Sequence, residues 1–403
     1  MFDDDGSPHP LDTVRPGADY DPEIGGNPQQ FHASMRDEAA VTRVEEMGMA
    51  LLTRHEHVHW ALRSPELFSS QFDAVQIGQV RPLIPLQIDP PEHVQYRRLL
   101  DPLFAPREMA LLEDDIRSLA NDLVDGFIED GRCEFDSQFA IPFPCTVFLR
   151  MLGLPLDDLE LFLRFKNDII RPVADDAEGD KAIRDATGQE IYAYFEEVIE
   201  ERSRDRRDDL ISGFLDAEVD GRTLSRNEIL DICYLFLLAG LDTVTASLGC
   251  AVSYLAQRPD RRDALVADPS LIPGAVEELL RWETPVPGVP RLVMEDVDVD
   301  GETLTAGETV TCLLASANTD DRHFSDADVV DFERESNKHL AFGGGVHRCL
   351  GSHLARLEMR VALEVLHGRI GDYVLPDGET PRYSLTIREV EYLPLEFTPG
   401  ERL

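Results

Sequence analysis

A mainly α-helical fold with a smaller β-rich portion is what this sequence predicts, and three observations carry the prediction. Apolar residues recur at helical spacing through most of the stretch from Val94 to Arg281. After Trp282 the texture changes to short β-rich pieces separated by turns. A run of three glycines, Gly343 to Gly345, then feeds one further helix. In it Leu354, Leu357, Val361, Leu363 and Leu366 are spaced to bury a face between Ser352 and Gly368.

Taken in chain order, residues 1–30 are rich in Asp, Pro and Gly and are expected to run loosely over the surface. Short strands are expected at residues 40–44 and 48–52. Helices are expected over 94–100, 107–128, 144–152, 156–170, 181–202 and 226–257, with Pro and Gly clusters between them. Strands follow at 291–299, 303–305 and 309–314. No linker-like stretch divides the helical part from the β-rich part, so residues 31–403 are expected to form one domain.

The 403 residues are 43% hydrophobic, enough for a sizeable core. Formal charge is −40, from 78 acidic and 38 basic residues, which argues against nucleic acid or an anionic membrane surface as partners. The longest apolar run, residues 232–239, is far shorter than the about 18 residues a membrane span needs. The acidic start Met1-Phe2-Asp3-Asp4-Asp5 is the reverse of a secretory leader. Six cysteines are scattered without any CxxC. A cytoplasmic monomer is expected. Between Ser336 and Arg360 the charge balance reverses locally, with Lys338, Arg348, Arg356 and Arg360 against Glu358. That island suits an acidic docking partner, and equally suits arginines paired with nearby acids.

Phe342-Gly343-Gly344-Gly345-Val346-His347-Arg348-Cys349-Leu350-Gly351 isolates Cys349 where a loop meets a helix N-terminus, whose partial positive charge favours thiolate over thiol. Such a group binds a metal or attacks an electrophile. Structural zinc needs more ligands at tight spacing than His347, Cys349 and His353 offer. No local cysteine-protease signature is present.

Three other patterns carry chemistry. Ala239-Gly240-Leu241-Asp242-Thr243 interrupts a long helix with a glycine, at a cost of about 1 kcal/mol relative to alanine. The Thr243 hydroxyl is placed to turn back to the Ala239 carbonyl and open the helix there. The patch fits water and proton handling, or simple helix packing. Glu278 and Arg281, three apart, share a helix face. His93 and Arg97 lie one turn apart after Pro90-Pro91, a pairing that suits a carboxylate clamp.

FGGGVHRCLG resembles the haem-binding loop of the cytochrome P450 superfamily, in which Phe, Gly, a basic residue, Cys and Gly recur at this spacing. The resemblance runs through nearly the whole chain, in order. The segment from Phe135 to Pro155, with Phe143-Pro144 and Met151-Leu152-Gly153-Leu154-Pro155, is most similar to soluble bacterial members of the camphor-hydroxylase type. It implies a triangular haem-thiolate monooxygenase fold holding haem b, with Cys349 as axial ligand. Phe342, Gly343, Gly345 and Gly351 would shape the loop, Ala239 and Gly240 would face the haem, and His93, Arg97, Arg291 and His347 would grip its propionates. Asp242 and Thr243 would form the family's acid–alcohol pair, and Glu278, Arg281 and Arg334 a buried scaffold network.

The resemblance further implies O2, a small hydrophobic substrate, and electrons from a separate iron–sulfur ferredoxin and its reductase. Substrate walls are implied at Phe68, Phe72, Val75, Ile77, Leu83, Ile84, Leu237, Ala239, Val244, Val286, Val289 and Ile387. Nearly all are apolar, so a compact terpenoid or steroid-like molecule is expected to be hydroxylated. Arg388 is the one basic group placed to anchor a fatty acid. A peroxide-driven fatty-acid hydroxylase and a non-catalytic haem sensor are the alternatives.

Overall fold

A computed structural model describes residues 26–44, 48–72, 77–384 and 387–403. The helices that frame the site are α1 (Glu92–Leu100), α2 (Glu113–Asp125), α3 (Pro142–Met151), α4 (Leu159–Ile170), α5 (Ala177–Arg204), α6 (Arg226–Leu241), α7 (Thr243–Ala256), α8 (Ile272–Glu283) and α9 (Ser352–Arg369). Local chemistry sets their ends. Asp176 accepts a hydrogen bond from the Gly179 N–H to start α5. Ser225 and Glu228 form a reciprocal capping box at the start of α6.

The sequence-expected helix over 226–257 is two helices joined at Asp242, which ends α6 and begins α7. The pair is long and apolar enough to cross a membrane, although no unbroken apolar run in it is long. Its apolar residues are core residues, most of them buried in the protein. α7 packs on α8, on α9 and on the C-terminal strand β6 (Glu389–Tyr392), while α9 also packs on α2 and α8.

Numbered together with β6, the main sheet consists of β1 (Val41–Val44), β2 (Met49–Leu52), β3 (Phe68–Ser69), β4 (Val289–Val293) and β5 (Thr309–Cys312), in spatial order β1-β2-β5-β4-β3. β5 runs parallel to β2 and antiparallel to β4, with Val310 opposite Arg291. That register turns Arg291 and Val293 to the buried side of β4. A principal core runs from Leu83 to Phe397, and a smaller one, including Val58, Phe68 and Val310, lies against the sheet.

Two sequence expectations change here. Residues 28–30, expected to be loose, begin the helix Pro28–Glu38, with Pro28 and Gln29 buried; residues 1–25 of the expected loose segment lie outside the described residues. Phe68, expected in a substrate wall, instead pairs with Val293 in the sheet and packs edge-on against Trp60 at 5.1 Å.

Candidate active site

The cysteine loop takes its shape from close backbone approach. Gly345 adopts φ +63°, and a Cβ there would lie 2.0 Å from the Leu62 carbonyl oxygen, so only glycine fits. The Cys349 N–H donates to the Phe342 carbonyl at 2.8 Å, and the Gly343 N–H to that of Leu340 at 2.8 Å. The Phe342 ring lies under the Arg356 guanidinium, 4.3 Å away. Gly351 has an ordinary φ of −79°, and no atom lies within 4 Å of a Cβ built on it. Its contribution is the N–H that points at the Cys349 sulfur.

Of the six cysteines, all unpaired, only Cys349 is exposed. Protein nevertheless surrounds it closely enough that enclosure pushes its thiol up, against the Gly351 N–H, Arg97, Arg348 and Arg356. The Gly351 N–H and the three arginines favour thiolate, as expected of a helix terminus, while enclosure works against it.

On the α6–α7 junction the Thr243 hydroxyl donates to the Ala239 carbonyl at 3.2 Å, and Thr245 does the same to Leu241 at 3.3 Å. Ala239 is exposed while Leu237 is 0% exposed. Leu237 thus has no surface to offer a substrate. Leu235, half-buried and one turn before Ala239, shares the accessible face with Ala239 and Thr243. Gly240 likewise differs from expectation, because a Cβ there would strike the Phe148 ring at 2.4 Å. Its smallness serves packing against α3.

Asp242 is 1% exposed and held by two cations from the α4 region. Lys166 Nζ lies 3.0 Å from Oδ1, and Arg171 Nη2 lies 3.0 Å from Oδ2. The same Arg171 nitrogen meets Glu389 Oε1 at 2.5 Å. Sequence reasoning missed all three residues, the two partners of Asp242 and the acid that shares Arg171.

A second group of side chains gathers beside the loop. His93 and His347 rings stand 4.3 Å apart, and Arg97 donates to the Arg348 carbonyl at 2.7 Å. Arg291 is buried, and Nη1 bonds only the neighbouring Pro290 carbonyl. Burial, aided by Arg97, pushes His93 down to about 4. Burial, then His93, Arg291 and Arg97, pushes His347 down to about 3. Both ring nitrogens of His93 and Nε2 of His347 are buried without hydrogen-bond partners.

Behind the loop, Glu278 and Arg281 are fully buried, joined by two bonds of 2.8 Å. Arg281 also donates to the carbonyls of Asn318, Ala327 and Val329, and Glu278 also accepts from Arg334, Asn337 and the Asp331 N–H. Every charge in the network is met, as burial requires.

Residues 157–366 match the family model for cytochrome P450. The steroid C26-monooxygenase of Mycolicibacterium smegmatis is 34% identical over 385 residues, covering 93% of this chain and 94% of that protein. The chain belongs to the cytochrome P450 family. This P450 is also similar to mycinamicin IV hydroxylase/epoxidase of Micromonospora griseorubida, 38% identical over 298 residues, covering 73% of this chain and 74% of that protein. The structure of CYP109E1 from Bacillus megaterium in complex with testosterone superposes with a TM-score of 0.87 at 28% identity, covering 94% of this chain and all of that one. The P450 is therefore a monooxygenase whose cofactor is haem b, using O2, a hydrophobic substrate and a redox partner.

The residues present fit that cofactor. His93 and His347 carry buried nitrogens without hydrogen-bond partners, the buried Arg291 has no acid paired with it among the described residues, and Arg97, already paired with Asp101 at 2.7 Å, stands beside them; buried polar groups of this kind call for a partner. Two propionate carboxylates match them in charge and chemistry.

Other expected wall residues divide by accessibility. Phe72, Ile77, Val286, Val289 and Ile387 are half-buried; Leu83 is fully covered, and Ile84 and Val244 keep only 5% and 7%. Val75 lies outside the described residues. Arg388 is buried, ion-paired to Glu283 at 2.9 Å and stacked 4.2 Å over the Tyr383 ring. The basic island is also largely neutralised. Arg356 pairs with Glu277 at 2.6 Å, and Arg360 with Glu113 at 2.6 Å and Glu364 at 3.1 Å. Lys338 and Arg348 remain exposed with no ion pair among the described residues.

Proposed function

We propose that this P450 hydroxylates a compact, neutral hydrophobic molecule, terpenoid or steroid-like, with electrons from an iron–sulfur ferredoxin and its reductase. The observation that carries the neutral-substrate reading is Arg388. It was the one basic group available to hold a fatty-acid carboxylate, and Glu283 already occupies it. The names of the steroid monooxygenase and the testosterone complex favour the steroid end of the range, while the mycinamicin enzyme marks a larger class of substrate. A panel of terpenes, steroids and fatty acids, scored by the low-to-high-spin shift of the holoenzyme, tests this. Steroids or terpenes shift the spectrum; a response confined to fatty acids overturns the reading. The six unpaired cysteines suit a reducing, cytoplasmic setting, and the enzyme acts there as a monomer in this reading.

In this reading haem b, held through Cys349 and clamped by His93, Arg97, Arg291 and His347, supplies the oxygen activation. The chain's own work is to seat the substrate in a dry pocket and to deliver protons in order. Thr243 orders water with its hydroxyl, and Asp242 passes protons to it. Thr243→Ala is expected to keep nicotinamide consumption near wild type while product per electron pair falls by about tenfold or more. Unchanged coupling removes the proton-relay role and with it the strongest argument against a peroxide-driven enzyme or a sensor.

Ferredoxin docking is supported by Lys338 and Arg348, the unpaired remainder of the basic island. Charge reversal at either is expected to raise the KM for reduced ferredoxin by about fivefold, with the effect shrinking in salt. Peroxide-supported turnover of the same variants stays at wild type, which separates docking from haem damage.

A further inference from the structure

We propose that Glu389 is a proton store acting through Asp242: its carboxyl holds the single proton of a buried charge cluster and passes it inward to the acid beside Thr243. This rests on the proton-relay reading of Asp242 and Thr243, and names a residue that feeds it.

The geometry comes first. Arg171 Nη2 is shared by Asp242 Oδ2 at 3.0 Å and Glu389 Oε1 at 2.5 Å, so one guanidinium nitrogen holds the two carboxyls side by side. Lys166 reaches Asp242 but makes no ion pair with Glu389. Asp136, half-buried in the single π turn Asp136–Ala140 that packs on α7 and β6, is the third acid within electrostatic reach. Fully ionised, Asp136, Asp242 and Glu389 set three negative charges against two positive ones. A net charge left in a buried cluster is costly, and one proton removes it.

Asp242 has two cationic partners and Glu389 shares one of them, so Glu389 is the less compensated of the two carboxyls. Burial, and then the charge of Asp242, push Glu389 up to about 7, against Arg171 and Lys166. Burial, then Glu134 and Glu389, push Asp136 up to about 7. Other groups near Glu389 are engaged elsewhere. Arg388 pairs with Glu283, Arg382 lies over the Tyr392 ring, Tyr383 bonds Ser253, and the Cys250 thiol points to the Arg388 carbonyl. Glu391, on the same strand, adds a further negative charge that favours protonated Glu389.

The transfer balances without any other reactant. The O–H bond of the Glu389 carboxyl breaks, an O–H bond forms on Asp242, and the Glu389 carboxylate keeps its pair with Arg171. Asp242 gives the proton on toward Thr243. Solvent reloads Glu389 on the side of Asp136, the outer member of the cluster.

The experiment uses the haem-loaded enzyme and its Glu389→Gln, Glu389→Asp and Asp136→Asn variants. Infrared titration of the protonated-carboxyl band is the readout independent of turnover. In wild type a component of the band is present below pH about 7 and lost above it. In E389Q the component that titrates near about 7 is lost, the Asp136 component moves to lower pH because the Glu389 charge is gone, and only the contribution of the buried Glu358 carboxyl remains. In D136N the Glu389 component titrates at lower pH, because a neighbouring negative charge is gone. Coupling of product to nicotinamide is expected to fall in wild type as pH rises through this range. In E389Q it is about tenfold lower and flat with pH, restored by E389D, with peroxide-supported turnover unchanged. A titrating component that survives unshifted in E389Q and disappears in D136N puts the proton on Asp136 and overturns the assignment. So does an E389Q coupling profile that matches wild type. Should the band behave as stated while Asp242→Asn leaves coupling intact, the store stands and the relay reading fails.

Discussion

Cys349→Ala is expected to reduce O2-dependent product formation to background while leaving the far-ultraviolet circular dichroism unchanged. No other thiol can take its place. The remaining five cysteines are buried, and burial pushes Cys133 and Cys145 up to about 12 and Cys312 up to about 11, with Cys233 and Cys250 also raised. Cys349 alone is accessible, in a loop whose shape is set by Gly345 against Leu62 and by backbone bonds to Phe342. Removing its sulfur therefore deletes a ligand without opening a core cavity. Its thiol is raised by enclosure, so haem loading releases a proton and is favoured as pH rises. A variant that keeps wild-type turnover contradicts the ligand assignment.

The second large effect is on stability. Arg281→Ala leaves Glu278 buried with only Arg334 to oppose it, and takes the donor from the Asn318 and Ala327 carbonyls, while the Val329 carbonyl keeps its bond from Arg334. Breaking a buried pair by removing one partner costs about 3–5 kcal/mol. Denaturant unfolding of the variant is expected to show a loss of that size, together with lower haem content. Replacing both members, Glu278→Leu with Arg281→Met, is expected to cost less than Arg281→Ala alone, since no charge is left unpaired. Equal or greater loss in the double variant shows that the carbonyl bonds of Arg281 outweigh its charge.

Local features were the legible ones. The cysteine loop and the helix after it follow from residues 342–369, where glycine freedom and apolar spacing act over a few positions. The break at Asp242 was legible for the same reason, from Gly240 and the Thr243 hydroxyl. What sequence could not supply was convergence. Lys166 and Arg171 reach Asp242 from α4 and the loop after it, and Glu389 of a C-terminal strand joins them through Arg171, with no shared spacing to announce them. The basic island was legible as a choice between docking and pairing; the pairing holds for Arg356 and Arg360, but its partners Glu277 and Glu113 lie on α8 and α2, out of reach of sequence spacing. Leu237 was misplaced for another reason: α6 is apolar nearly all round, and periodicity then cannot say which face meets the ligand. Gly240 looked like a ligand-facing glycine until Phe148 of α3 was found against it.

The measurement that bears most directly on the central claim is the absorption spectrum of the reduced, CO-bound holoenzyme. With Cys349 bound as thiolate, the Soret band is strongly red-shifted, and Cys349→Ala loses that shift. A Soret band at the ordinary position of histidine-ligated haem in the unsubstituted enzyme, or a red-shifted band that persists in Cys349→Ala, contradicts the account.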